Sequence, residues 1–99
     1  MGSVVVQLVG LINGGTTAFD GQYLVEYDPG RDGIEPSTGR TMMCHLVTTS
    51  DRAQAFQFDD AAAAFETWQL VDPRKPVRVD GKPNRPLTAF TVGIEAVGG

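Results

Sequence analysis

The sequence predicts an α+β domain, an antiparallel sheet of four to five strands packed by one principal helix. Two features predict it: β-branched runs fill the first half and an alternating run closes the chain, while only one stretch between them has helical periodicity. Strands and helix are therefore segregated rather than interleaved, which favours antiparallel pairing over a parallel sheet. At 99 residues the chain has room for one core, and residues 1–99 read as a single domain.

Residues 3–12 (SVVVQLVGLI) form the first strand, which is apolar on both alternating faces and so belongs mid-sheet or across a dimer. Asn13-Gly14-Gly15 ends it in a turn. Residues 22–27 make the second strand, with Tyr23, Val25 and Tyr27 on one face and Leu24 and Glu26 on the other. Asp28-Pro29-Gly30 stops that strand, and residues 28–40, with two prolines and three glycines, read as a long loop. Residues 41–49 form the third strand, with Met43, His45 and Val47 opposite Met42, Cys44 and Leu46.

Thr49-Ser50-Asp51 reads as an N-cap for a short helical turn over 51–54, and residues 55–58 either extend that turn or form a brief bridge. Asp59 or Asp60 caps the principal helix near 60–70, whose buried stripe is Ala61, Ala64, Phe65 and Trp68. Pro73 and Pro76 forbid its continuation. Val77 to Val79 with the Asp80-Gly81 turn resemble a hairpin, whose returning arm is confined to an edge by Pro83 and Pro86. Residues 87–97 alternate and close the sheet. The expected core is Val5, Leu8, Val25, Leu46, Phe65, Trp68, Phe90, Val92 and Ile94.

Composition excludes several classes of function. A 41% hydrophobic, 20% charged chain folds rather than staying disordered, and its net charge of −4 disfavours direct nucleic-acid binding. One cysteine forbids an intrachain disulfide, and one histidine beside it cannot complete a structural zinc site. No cofactor fingerprint occurs, so neither metal nor cofactor is expected. The apolar N-terminal run lacks a basic flank and a cleavage signal and is far shorter than the ~20 residues of a membrane span, so the expectation is a cytoplasmic protein without a membrane partner.

Neighbouring Cys44 and His45 suggest a nucleophile and base, yet adjacent strand residues point to opposite faces; a buried thiol and a surface or partly packed imidazole explain the pair. A serine nucleophile from Ser37 or Ser50 lacks the elbow spacing. The carboxylates of Asp28, Asp32 and Glu35 lack the rhythm of a calcium loop and read as a solvated acidic turn. Asn13-Gly14-Gly15 has no helix after it with which to cradle phosphate. The sharpest asymmetry is late in the chain. Arg74, Lys75, Arg78, Lys82 and Arg85 are five of eight basic residues, opposed locally only by Asp80, so the arm carries +4 and the remainder −8. These five are the candidate ligand- or partner-binding residues, against the plainer reading of a solvated, proline-stiffened connection.

Residues 52–68 (RAQAFQFDDAAAAFETW) followed by 80–92 (DGKPNRPLTAFTV) resemble small proteins of bacterial, phage and prophage genomes. The resemblance covers roughly the C-terminal half, carries no catalytic residue across, and implies a short mobile-element product of the kind that acts by binding a host component. The expectation is a non-enzymatic binding protein that engages a host protein, as inhibitors of host defence do, or itself as a homo-oligomer. The alternative is an anion or nucleotide binder that uses the arm 74–85 on an anionic small molecule. A third reading is a small enzyme with its site around His45.

Overall fold

The computed structural model describes residues 3–97. Its main sheet is antiparallel, with β1 (Val4–Leu11), β2 (Gln22–Asp28), β5 (His45–Thr49) and β6 (Phe90–Ala96) in the order β5-β2-β1-β6. A second, two-stranded sheet pairs β3 (Gly33–Ile34) with β4 (Thr41–Met42). One helix, α1 (Ala61–Trp68), packs on the main sheet, so the architecture is α+β as the sequence predicts.

β1 takes the central position that its two-sided apolarity requires. Val4, Val6 and Leu8 face the core with Leu24, Leu46, Phe58, Ala64, Leu87 and Phe90. On the opposite face Val5 is 1% exposed, and Glu95, its cross-strand partner, is held by Arg52 Nε at 2.9 Å. The chain thus covers that face of Val5 by itself.

β1 and β2 pair only through Gln7 with Tyr23 and Leu8 with Gln22. Beyond them the strands part, and the segment after the 3-10 turn Arg52–Gln54 enters the gap. Phe58 exchanges both backbone bonds with Val4 (2.8 and 2.9 Å), and the Phe56 N–H donates to the Leu24 carbonyl at 2.9 Å. Backbone groups that the missing β1–β2 pairs would have left bare are thereby satisfied. Of the two readings of 55–58, the bridge is the one observed. A β-bulge in β2 between Leu24 and Glu26 accommodates it.

Three expectations about the elements need correction. The strand over 41–49 is broken at Met43-Cys44: β4 leaves to pair with β3, and β5 begins at His45. Gly33 lies so close to this break that a Cβ there would strike the Cys44 carbonyl. Residues 28–40 are consequently not one structureless loop, since they supply β3 and a tight connection closed by Glu35 N–H to Arg40 C=O at 2.8 Å. The closing strand begins at Phe90, because Pro86–Ala89 forms a 3-10 turn.

The predicted core is also shifted in places. Val5, Leu8, Leu46 and Phe90 are buried, Trp68 and Val92 are half-buried against the core, but Leu24 replaces Val25 because of register around the β2 bulge. Ile94 lies on an edge strand and is exposed. α1 is capped as expected by Asp60, whose carboxylate accepts the Ala63 N–H at 2.8 Å. Its buried face is Ala63, Ala64 and Trp68, while Ala61 and Phe65 turn outward. The small alanines let the helix approach the sheet closely, and Phe65 instead rests on Trp68, ring centroids 5.4 Å apart.

Phe65→Ala is therefore expected to cost about 0.5–1.5 kcal/mol, the worth of an aromatic pair. Leu8→Ala should cost about 2–5 kcal/mol, as a fully enclosed leucine does. Denaturant unfolding of both variants measures the difference; equal losses would place Phe65 in the core after all.

Candidate functional site

The basic arm is a finger. Its two sides meet through the backbone, with Asn84 N–H donating to Pro76 C=O at 2.9 Å and Arg78 N–H to Lys82 C=O at 2.8 Å. A bridge joins Val77 to Pro83. Gly81 supplies the positive φ, 84°, that the tip requires, and Asp80 Oδ1 accepts the Lys82 N–H at 3.0 Å. The hairpin read from Val77 to Val79 and Asp80-Gly81 is present in this short form.

The base of the finger is fixed by Arg74. Its Nη1 donates to Asp32 Oδ1 at 2.8 Å and its Nε to Asp72 Oδ1 at 3.3 Å. Nη2 reaches the carbonyls of Met43, at 2.5 Å, and Pro29, at 3.3 Å. Asp72 is buried, and its Oδ1 also accepts the Arg74 N–H at 2.8 Å. These bonds, led by the one from the Arg74 N–H, hold the Asp72 carboxyl below the usual carboxylate range, and Asp32 with Asp72 raises the Arg74 guanidinium further. Pro73 packs against Gly30, where a Cβ would come within 3.0 Å of its ring. Arg74 is thus a tie between the finger, the end of β2 and the strand break at Met43.

Arg78 has its own partner, Asp80, at 3.3 Å. Lys75, Lys82 and Arg85 form no ion pair among the described residues. Lys75 and Arg78 line a cleft of about 390 Å³ with Met43, Val79, Asp80 and Asn84. Its walls are mixed: Val79 at the tip is 99% exposed and Met43 is 67% exposed. The five cations therefore do not converge on one site. Arg74 is occupied at the base, two cations share the cleft with an acid and two apolar side chains, and Lys82 and Arg85 are not among the residues lining that cleft.

The remaining candidates are placed apart from one another. His45 Nε2 lies 3.0 Å from Glu26 Oε2 across the β2–β5 pair, while Cys44 is buried, and burial pushes its thiol up. Glu26 lines a groove of about 570 Å³ with Val25, Tyr27, Phe56, Phe58 and Leu70, a groove whose lining does not include His45. Burial also raises the Tyr27 phenol, whose hydroxyl has no hydrogen-bond partner among the described residues. Asp28, Asp32 and Glu35 each serve a different donor. Asp28 accepts the Gly30 N–H, Asp32 takes Arg74, and Glu35 collects Ser37 and Thr38 through hydroxyls and N–H groups, which hold its carboxyl down to about 2. Among the described residues no three His, Cys, Asp or Glu side chains gather as a metal site, and no helix is long and apolar enough to cross a membrane.

The Arg74 tie was not read from the sequence. Its signal was Asp72-Pro73-Arg74, in which an Asx turn before a finger leaves the guanidinium beside the carboxylate that caps it. Compared with known protein families, curated proteins and solved structures, the chain matches none.

Loss of the tie should be legible in pH. A carboxyl whose folded pKa is lowered contributes stability above its ordinary pKa and loses it as pH falls toward the folded value. Arg74→Gln is expected to lower the melting temperature at pH 7, and the gap from the parent protein should narrow once pH falls below about 4. Thermal unfolding from pH 7 to 2.5 tests this; a gap that is independent of pH would remove Asp72 as its cause.

Proposed function

We propose that the protein is a non-enzymatic binding module that docks its finger, residues 75–85, on a partner protein whose surface is acidic around an apolar recess. The observation that carries this reading is Val79, fully solvated at the tip of a braced hairpin and sharing a cleft with Met43, Lys75 and Arg78. A valine held out in water on a pre-ordered hairpin loses little entropy when it is buried by a partner, and cations beside it select an acidic rim. Prolines 73, 76, 83 and 86 stiffen the element beforehand.

A small anion is served less well. Asp80 stands in the same cleft, Arg74 is engaged elsewhere, and two of the cleft's walls are apolar. The resemblance of residues 52–68 and 80–92 to small bacterial, phage and prophage proteins favours a host protein as the partner, in keeping with an inhibitor of host defence.

Affinity capture from host lysate, compared between the parent protein, Val79→Glu and the double variant Lys75→Glu/Arg78→Glu, tests the proposal. A specific partner should be retained by the parent, weakened tenfold or more by each variant, and released by salt. Both variants alter exposed side chains and should keep the parent's unfolding transition. A partner retained equally by all three would overturn the finger's role. Binding that transfers to anionic vesicles would replace the protein partner by a lipid surface, a melting shift with nucleotide would restore the anion reading, and a turnover lost in His45→Ala but kept in the finger variants would make the protein an enzyme.

A further inference from the structure

The two edges of the main sheet are treated differently. β5 has five residues and is preceded by the strand break that sends β4 to the second sheet. β6 has seven residues, and it contains no proline, no lysine and no bulge of its own. Its one charged residue, Glu95, is neutralised by Arg52, so the middle of the strand is left without proline, lysine or bulge to blunt it.

The backbone groups on that edge can be assigned. Val4 directs both its N–H and its C=O to Phe58, and the Leu8 C=O accepts from Gly21 N–H at 2.7 Å, so both residues turn away from β6. Antiparallel pairs alternate between bonded and non-bonded, so their partners Ala96 and Val92, and Ile94 between them, direct their own groups outward from β1. Two side chains close the ends of this outer edge. Arg52 Nη2 donates to the Ala96 carbonyl at 2.5 Å and Trp68 Nε1 to the Phe90 carbonyl at 3.3 Å. Between these caps the N–H and C=O groups of Val92 and Ile94 have no partner among the described residues.

We infer that a second copy of this chain pairs with β6 edge to edge, antiparallel about a two-fold axis through Gly93. A two-fold normal to the sheet keeps each face on its own side, and centring it on Gly93, the midpoint of the strand, sets the uncapped stretch around Val92–Ile94 of one copy against that of the other. Val92 then lies opposite Ile94 of the second copy, and the outward groups of the two residues close four hydrogen bonds. On one face the pairs are Val92 with Ile94, both β-branched. On the other, Thr91 meets Glu95, a carboxylate already held by Arg52, so no like charges oppose one another. Ile94, 38% exposed in the single chain, becomes a cross-strand contact of an eight-stranded sheet. An edge pairing of this length covers less than the roughly 800 Å² per partner of a standard interface, so the dimer is a weak one that forms as concentration rises.

Sedimentation equilibrium combined with amide hydrogen exchange tests the inference on the unmodified chain. The mass should rise from one chain toward two with concentration, and the Val92 and Ile94 amides should pass from fast to slow exchange over the same range. Those of Gly93 and Glu95, which face β1, should be slow throughout. Ile94→Pro removes an outward N–H without touching the β1 ladder and should remain monomeric, whereas Ile94→Val should dimerise like the parent. A mass of one chain at every concentration, or a dimer in which the Val92 and Ile94 amides still exchange fast, would overturn the proposal; because Val79 takes no part, the outcome is independent of the finger's role.

Discussion

The parting of β1 from β2 is the constraint from which much of the molecule follows. Two strands that pair at only two positions leave backbone donors and acceptors exposed inside the fold, and such groups must find partners. Phe56 and Phe58 provide them, and in doing so they draw the chain after β5 back across the sheet. That return sets where α1 begins, since Asp60 caps the helix two residues after Phe58. It also forms one wall of the apolar groove, whose other walls are the freed half of β2 and the end of α1. A fully paired β1–β2 hairpin would have neither groove nor entry for the helix.

A second dependence runs through Arg74. The strand break at Met43 points one carbonyl away from any ladder, and the end of β2 leaves that of Pro29 in need as well; a single guanidinium answers both while holding Asp32 and Asp72. Arginine's planar fork is suited to four acceptors in this way, where a lysine would offer a point charge. The same bonds fix the finger's root and bring Met43 to the cleft beneath Val79. A cation that the charge pattern grouped with four ligand-binding neighbours thus acts on the candidate site from within the fold.

Fold class, the central place of β1, both aspartate caps and the finger's turn were legible because each rests on local chemistry: two-sided apolarity, a carboxylate before a helical run, an Asp-Gly pair between extended arms. What was not legible depends on partners distant in sequence. Leu24 took the place of Val25 because of a bulge that exists only where Phe56 docks, and nothing within 22–27 announces it. Phe65 has the helical spacing of a core residue, but the Ala63-Ala64 face allows a closer approach to the sheet and leaves the larger ring outside. The long run 41–49 has unbroken strand composition, and its break lies where Gly33, distant in the sequence, approaches the Cys44 carbonyl. The charge asymmetry of the arm was visible in the sequence, whereas the division of its cations between structure and surface came from carboxylates at positions 32 and 72.

The finger is rooted at the end of β2 and runs through the Pro86–Ala89 turn into β6, whose outer edge is the open one. Arg74 ties the finger's base to the end of β2 and to Met43 in the break between β4 and β5, while β6 is the outer strand in the order β5-β2-β1-β6. Edge-to-edge pairing at β6 uses none of the residues that line the finger's cleft. Two weak docking elements on one rigid eight-stranded sheet would then meet any repeating or dimeric partner with the second contact made at a high effective concentration. A short hairpin with one apolar tip supplies little affinity alone, so pairing of the sheets is the means by which a chain of this size would reach useful occupancy without a larger interface on each copy.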